Sequence, residues 1–150
     1  MLYMDKIRQR LSDLGYAIYD APVPVGSYVQ CVRTGNLLHL SGGISVNGDD
    51  KYFGKVGQEL TVEEGQAAAR AAILNRLAVI VQAVGSLEKV SRIVNAGPDF
   101  YDHPKVLNGA SDLLVEAFGE IGRHSRTAVG VSALPLNVAV EISMVVEVRD

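Results

Sequence analysis

Within RHSRTAVGVSALPLNVAVEI, residues 123–142, almost every residue is small or apolar, yet Arg126 and Glu141 sit near its two ends. Arginine is the side chain best shaped to take a carboxylate, through two parallel N–H···O bonds. A glutamate in a water-poor place can hold a water molecule or move a proton. Together they suit chemistry on a small anionic substrate. The stretch reads as two strands joined by a tight Leu-Pro-Leu-Asn connection. If Leu134 and Asn137 flank the turn, Gly130 lies opposite Glu141 and Val145 opposite Arg126. The two charges then share one face, about 13 Å apart by the strand rise, too far for a salt bridge within one hairpin. Each must find water, a ligand or a neighbouring subunit, because a half-buried, unpaired guanidinium is costly. Arg126 is therefore a candidate anion holder. Pairing with an acid across a subunit interface is the competing reading.

Other reactive side chains carry less. His39, His103 and His124 have no metal-like spacing, and Cys31 is near none of them, so no metal site is expected. His124 stands two residues before Arg126 and either shares its face or belongs to a surface turn. Cys31 follows Gln30 inside a strand and has no activating base in view; it reads as a small buried hydrophobe. The Gly-rich SGG and GGISVNG stretches lack the strand–GxGxxG–helix context of a nucleotide site.

The elements that must hold these residues follow from periodicity. Met4, Ile7, Leu11 and Leu14 recur at helical spacing and Gly15 offers a stop, giving an amphipathic N-terminal helix over 1–15. Its charges are mixed rather than basic, which favours packing on its own body over a membrane surface. YVQCVRTGNLLHLSGG contains two runs about a Thr-Gly-Asn turn, a hairpin signal. SVNGDDKYFGKVG is turn-rich and loops out before a further short strand. Thr61 and Glu64 make a capping box before a long helix with the stripe Ile73, Leu77, Ile80, Val81 and Val84, ended by Gly85. KVSRIVNAGP is a strand stopped at Pro98, and HPKVLNGASDLLVEAFGEIG is a second long helix carried by Leu107, Ala110, Leu114, Ala117 and Phe118.

That order predicts one α+β domain over 1–150, a two-layer sandwich of a mostly antiparallel sheet with two helices on one face, plus the extra N-terminal helix. Val138, Val140, Ile142, Met144, Val146 and Val148 point to the helices, while Ala139, Glu141, Ser143, Val145 and Glu147 point away. The away face, with Arg126, Ala128, Gly130 and Ser132 assigned to it, is too apolar for plain solvent surface and predicts a second subunit over it.

Bulk properties narrow the function. The chain has 150 residues, 48% hydrophobic and 21% charged, with a formal net charge of −3. A pI near 5.6 and the lack of a basic block disfavour nucleic acid and anionic membranes. The single cysteine excludes an internal disulfide. The charged N-terminus is unlike a secretory signal, and the longest apolar run is far below the ~20 residues that span a bilayer, so a cytoplasmic protein is expected.

Three pieces, in order and spacing, resemble the Rid family, the reactive intermediate deaminases also called YjgF-like: GSYVQCVRTGNLLHLSGGI with its Tyr-x-Gln and Ser-Gly pairs, Asn108 opening the second long helix, and SRTAVGVSALPLNVAVEI. The resemblance runs from about Val25 to Val148. It implies a chorismate-mutase-like fold related to ferredoxin-like sheets, a homotrimer with ligand sites in clefts between subunits, and hydrolysis of reactive enamines and imines to keto acids and ammonia without metal or organic cofactor. Arg126 then corresponds to the arginine that grips the substrate carboxylate and Glu141 to the acid near the attacking water. Tyr28 and Asn108 line the cleft, and Ser41 holds the Ser-Gly position. On residues alone Tyr28 could equally be core packing, and Asn108 could serve a helix start.

The chain departs from the family where members usually read Ser-Gly-Gln and it reads Ser41-Gly42-Gly43, so an amide near the cleft is missing. The N-terminal helix and GEIGRHSR are also unlike the best-known deaminases, which marks a divergent subgroup. A second class of function is a non-catalytic trimer binding small carboxylates, keto acids or protein partners. Endoribonuclease activity has been attached to the family; the acidic pI argues against it here.

Overall fold

The computed structural model describes the backbone of residues 2–80 and 85–148 and the side chains of residues 6–80 and 94–148. Its elements run α1 (Leu2–Asp13), β1 (Cys31–Thr34), β2 (Leu37–Ile44), β3 (Val46–Asn47), β4 (Asp50–Lys51), α2 (Val62–Ile80), β5 (Gly85–Asn95), α3 (His103–Phe118), β6 (Ser125–Val131) and β7 (Val140–Val148). Short 3-10 turns cover Gly119–Gly122 and Pro135–Asn137.

Local chemistry accounts for the helices. The Thr61 amide donates to Glu64 Oε2 at 2.8 Å and the Glu64 amide to Thr61 Oγ1 at 3.2 Å, so the capping box forms as read and starts α2. Helix α2 is rich in alanine and buried along most of its length, and Gly109 of α3 lets the Gln66 backbone come within a distance that a side chain would forbid. The stripe residues Val81 and Val84 lie outside the described residues, and Gly85 is the first residue of β5. In α1, Ile7 and Leu11 are fully buried and Arg10 Nη1 donates to the Ala117 carbonyl of α3 at 3.1 Å, so this helix packs on the body of its own chain; the Met4 side chain is outside the described residues.

The main sheet has the order β1-β2-β7-β5-β6, antiparallel except for the parallel pair β5–β6. The α+β class, the mostly antiparallel sheet and the helix layer on one face agree with the sequence. Val140, Ile142, Met144, Val146 and Val148 are all buried against that layer, and Glu141, Ser143, Val145 and Glu147 are half-exposed on the open face.

One expectation fails. The β6–β7 pair is not a hairpin, because β5 lies between the two strands. Val94 pairs with Gly130 on one side and Val140 on the other. β5, α3 and β6 form a strand–helix–strand unit, which must close in parallel, and the chain then crosses the end of β5 to reach β7. The crossing is pinned by Gly54 and Tyr52: the Gly54 amide donates to the Asn137 carbonyl at 2.7 Å and the Ala139 amide to the Tyr52 carbonyl at 3.1 Å.

Candidate active site

The new pairing changes which face each charge occupies. Paired residues on neighbouring strands point the same way, so Gly130 shares the helix-facing side with buried Val94 and Val140. The His103 ring at the start of α3 sits directly over Gly130. Arg126, four residues earlier on β6, shares that parity, and its side chain reaches α3: Nη1 donates to Asn108 Oδ1 at 2.9 Å and to Ser111 Oγ at 3.2 Å. Glu141 has the opposite parity and lies on the open face. Arg126 and Glu141 therefore stand on opposite faces of one protomer's sheet, not on the same face as the hairpin register implied. Ala128 and Gly130 move with Arg126 to the helix side.

Arg126 is held by a chain of polar side chains. A carbonyl can only accept, so the 2.6 Å contact between His124 Nδ1 and the Gly122 carbonyl puts the ring proton on Nδ1. In the neutral ring Nε2 accepts from the Ser111 hydroxyl, 3.2 Å away, while the Ser111 oxygen accepts from Arg126. Asn108 supplies the second acceptor from the second turn of α3, so it does not serve the helix start; Asp102 is the residue before that helix. Among the described residues, the Arg126 Nε–H and Nη2 hydrogens have no partner and no acid pairs with the fork. Ser111 and the His124 link are parts of this arrangement that the sequence did not single out.

On the open face, Glu141 pairs in register with Ile44 and Ile93, and its carboxylate lies against Gly42, where any Cβ would collide with Oε1. The β2–β7 register shifts between Leu40 and Gly43, a bulge that turns Gly42 to the open face and Gly43 to the helices. Beneath Gly43 runs a residue the sequence reading missed. Arg76 of α2, 1% exposed, occupies the space in which a Cβ at position 43 would overlap Nε. Its Nη1 donates to Gln30 Oε1 at 2.9 Å and to the Ser41 carbonyl at 2.8 Å, while Nε and Nη2 donate to Asn75 Oδ1 at 3.1 and 2.7 Å. Burial pushes the Arg76 guanidinium down to about 10, with Tyr28 and Glu141 acting in the opposite direction, so it stays charged at neutral pH.

Ser41 is tied to the same cluster: its amide donates to the Gln30 carbonyl at 3.0 Å and its hydroxyl lies 3.1 Å from Gln30 Oε1. Tyr28 is 50% exposed just before β1, which excludes the core-packing reading. Within one protomer the predicted residues thus fall into two groups, Arg126 with Asn108 on the helix side and Glu141, Ser41 and Tyr28 around the bulge. Cys31 is half-buried on the helix-facing side of β1 opposite Leu40, and burial raises its thiol above the ordinary range, as befits a packing residue. Among the described residues no three metal-ligating side chains converge, and no helix is long and apolar enough to cross a membrane. A separate depression of about 390 Å³, lined by Lys55, Gly97, Phe100, His103, Gly130 and Ser132, contains neither Arg126 nor Glu141.

The family model described as "YjgF/chorismate mutase-like, putative endoribonuclease" matches residues 8–148. The chain belongs to the YjgF/Rid family. Among its relatives in that family, protein TCP17 of Trypanosoma cruzi is 40% identical, with 97% of this chain and 96% of the relative covered. The 2-iminobutanoate/2-iminopropanoate deaminase of Dermatophagoides farinae is 30% identical over 86% of this chain and 91% of its own. Among solved structures, a protein of unknown function from Agrobacterium tumefaciens superposes with a TM-score of 0.88 at 34% identity, covering 97% and 94% of the two chains. The E. coli protein TdcF, solved with bound serine, superposes with a TM-score of 0.64 at 26% identity over 87% and 94%. The YjgF/Rid fold, chorismate-mutase-like and without a closed barrel in the single chain, is the one described above.

Proposed function

We propose that this YjgF/Rid protein hydrolyses reactive enamines or imines derived from amino acids to the keto acid and ammonia, in clefts between the subunits of a cytoplasmic homotrimer. The observation that carries the reading is the Arg126 fork, fixed by Asn108 and Ser111 through one nitrogen and, among the described residues, without an acid on the rest. Such a fork suits a carboxylate. Because Glu141 occupies the other face, a cleft that holds both needs Arg126 from one protomer and Glu141 from a neighbour. The half-exposed face of Ile44, Ser143 and Val145 around Glu141 suits a covering subunit. The deaminase relative and the serine-bound relative support a small amino-acid-derived ligand.

The chemistry asks little of the protein. With the substrate carboxylate in the Arg126 fork, water adds to the carbon of the protonated imine and forms a C–O bond. Glu141 takes a proton from that water and returns one to the nitrogen. The C–N bond then breaks as the hydroxyl proton passes to Glu141 and from there to the departing ammonia, so ammonium leaves and the carbonyl remains. An enamine first takes a proton on carbon to become the imine. No electrons are gained or lost overall.

The test is an imine-lifetime assay. An amino-acid oxidase generates imino acids from a panel of amino acids, and semicarbazide reports how long they persist. Wild type should shorten the lifetime, and Arg126→Ala should reduce kcat/KM on the order of a hundredfold with its fold intact. Equal lifetimes with wild type and buffer across the panel would sink the deaminase reading. Light scattering tests the trimer, and a monomer at micromolar concentration would remove the shared cleft.

A further inference from the structure

The Ser41-Gly42-Gly43 departure from the family's Ser-Gly-Gln has a structural counterpart. The space that a side chain at position 43 would fill is taken by the Arg76 side chain, with Cγ, Cδ and Nε all against Gly43. Where the family usually carries a neutral amide, this chain has a full positive charge. That charge is held from below by Asn75 and reaches Gln30 and the Ser41 carbonyl, one residue from the glycine against which the Glu141 carboxylate rests. The two glycines have complementary uses. Gly42 admits the carboxylate on the open face and Gly43 admits the guanidinium on the helix face, so opposite charges approach across the thickness of one bulged strand. No direct ion pair joins them, and Arg76 is too buried to touch a ligand. Its influence on the cleft is through its field, which is little screened at such a buried position.

We propose that Arg76 is a specificity-determining residue of the cleft. Its buried positive charge offsets that of Glu141, so the end of the cleft opposite Arg126 accepts substrates with neutral or acidic tails and disfavours basic ones. In chemical terms the favoured class is imines of amino acids with uncharged or carboxylate side chains. The inference rests on the shared-cleft reading above, and its test is a binding measurement that does not depend on turnover.

Calorimetric titration with 2-oxobutanoate and 2-oxoglutarate compares a monocarboxylate with a dicarboxylate keto acid. For wild type, the dicarboxylate should bind within about tenfold of the monocarboxylate. Arg76→Ala combined with Gly43→Gln removes the charge and refills the gap with an amide. This double variant should weaken the dicarboxylate about tenfold relative to the monocarboxylate. Glu141→Gln should move the same ratio about tenfold the other way, because Arg76 is then uncompensated. Should the double variant not fold, wild type and Glu141→Gln decide the matter. A ratio unchanged in every folded variant, or a wild type that rejects the dicarboxylate by far more than tenfold, overturns the role of Arg76. Absence of binding by both keto acids to wild type overturns the cleft reading and this inference with it.

Discussion

Arg126 and Arg76 are both arginines near the candidate site, and the protein treats them oppositely. Arg126 stands on an edge strand, half-exposed, with one nitrogen fixed by Asn108 and Ser111 and the rest of its fork without a partner among the described residues. Arg76 is enclosed between α2 and the β2 bulge and spends its donors on Asn75, Gln30 and Ser41. A guanidinium with open donors is equipped to take a ligand. One with its donors satisfied inside the protein organises the backbone around it and projects only charge. Loss of Arg126 should therefore appear in binding and turnover, and disturbance of Arg76 should appear first in stability.

The sharpest way to break that contrast is at Gly43. Gly43→Ala places a Cβ inside the Arg76 side chain and should cost about 3 kcal/mol in chemical denaturation. Combining it with Arg76→Ala should recover much of that loss, with a coupling of about 2 kcal/mol in the double-mutant cycle. Additive costs would show that the two positions do not share the space. At Gly42 the obstacle is the Glu141 side chain, which has open face to move into. Gly42→Ala should cost only about 1 kcal/mol. Its kcat should nevertheless fall about tenfold in the imine assay, since the carboxylate is displaced from its seat. A Gly42 variant as active as wild type would detach Glu141 from the chemistry. The smallest effect belongs to Ser111→Ala, which leaves Arg126 tethered by Asn108 alone. We expect KM to rise a few-fold with kcat and thermal midpoint nearly unchanged. A larger fall in kcat than in affinity would mean that Ser111 does more than orient the fork.

Much of the architecture was readable from the chain because its signals are local. The Thr61–Glu64 box lies within one turn, the alternation along β7 within one strand, and the apolar row of α3 within one helix. Arg126, Glu141, Tyr28, Asn108 and Ser41 were singled out as a set through the family resemblance. What they do together was not. The Leu-Pro-Leu-Asn segment looks like a tight turn, yet it spans β5, and a strand order depends on contacts distant in sequence. That single error moved Arg126 to the wrong face, because faces follow from partners.

Arg76 did leave a trace. It sits on the buried row of α2, with Ile73 three residues before and Ile80 four after, where a charge needs a reason. Gly42 and Gly43, side by side in an apolar strand, mark a close approach. Read together, those two oddities could have pointed to a charged side chain meeting a glycine gap.

The sequence by itself determined the positions of the long helices, the sidedness of β7 and the residue types available for carboxylate chemistry, since each depends on periods of two to four residues and on the side chains themselves. Only the tertiary structure decided that β5 separates β6 from β7, that Arg126 and Glu141 face opposite ways, and that Arg76 occupies the space left by Gly43. Those are facts about which distant segments share a volume, and packing alone settles them.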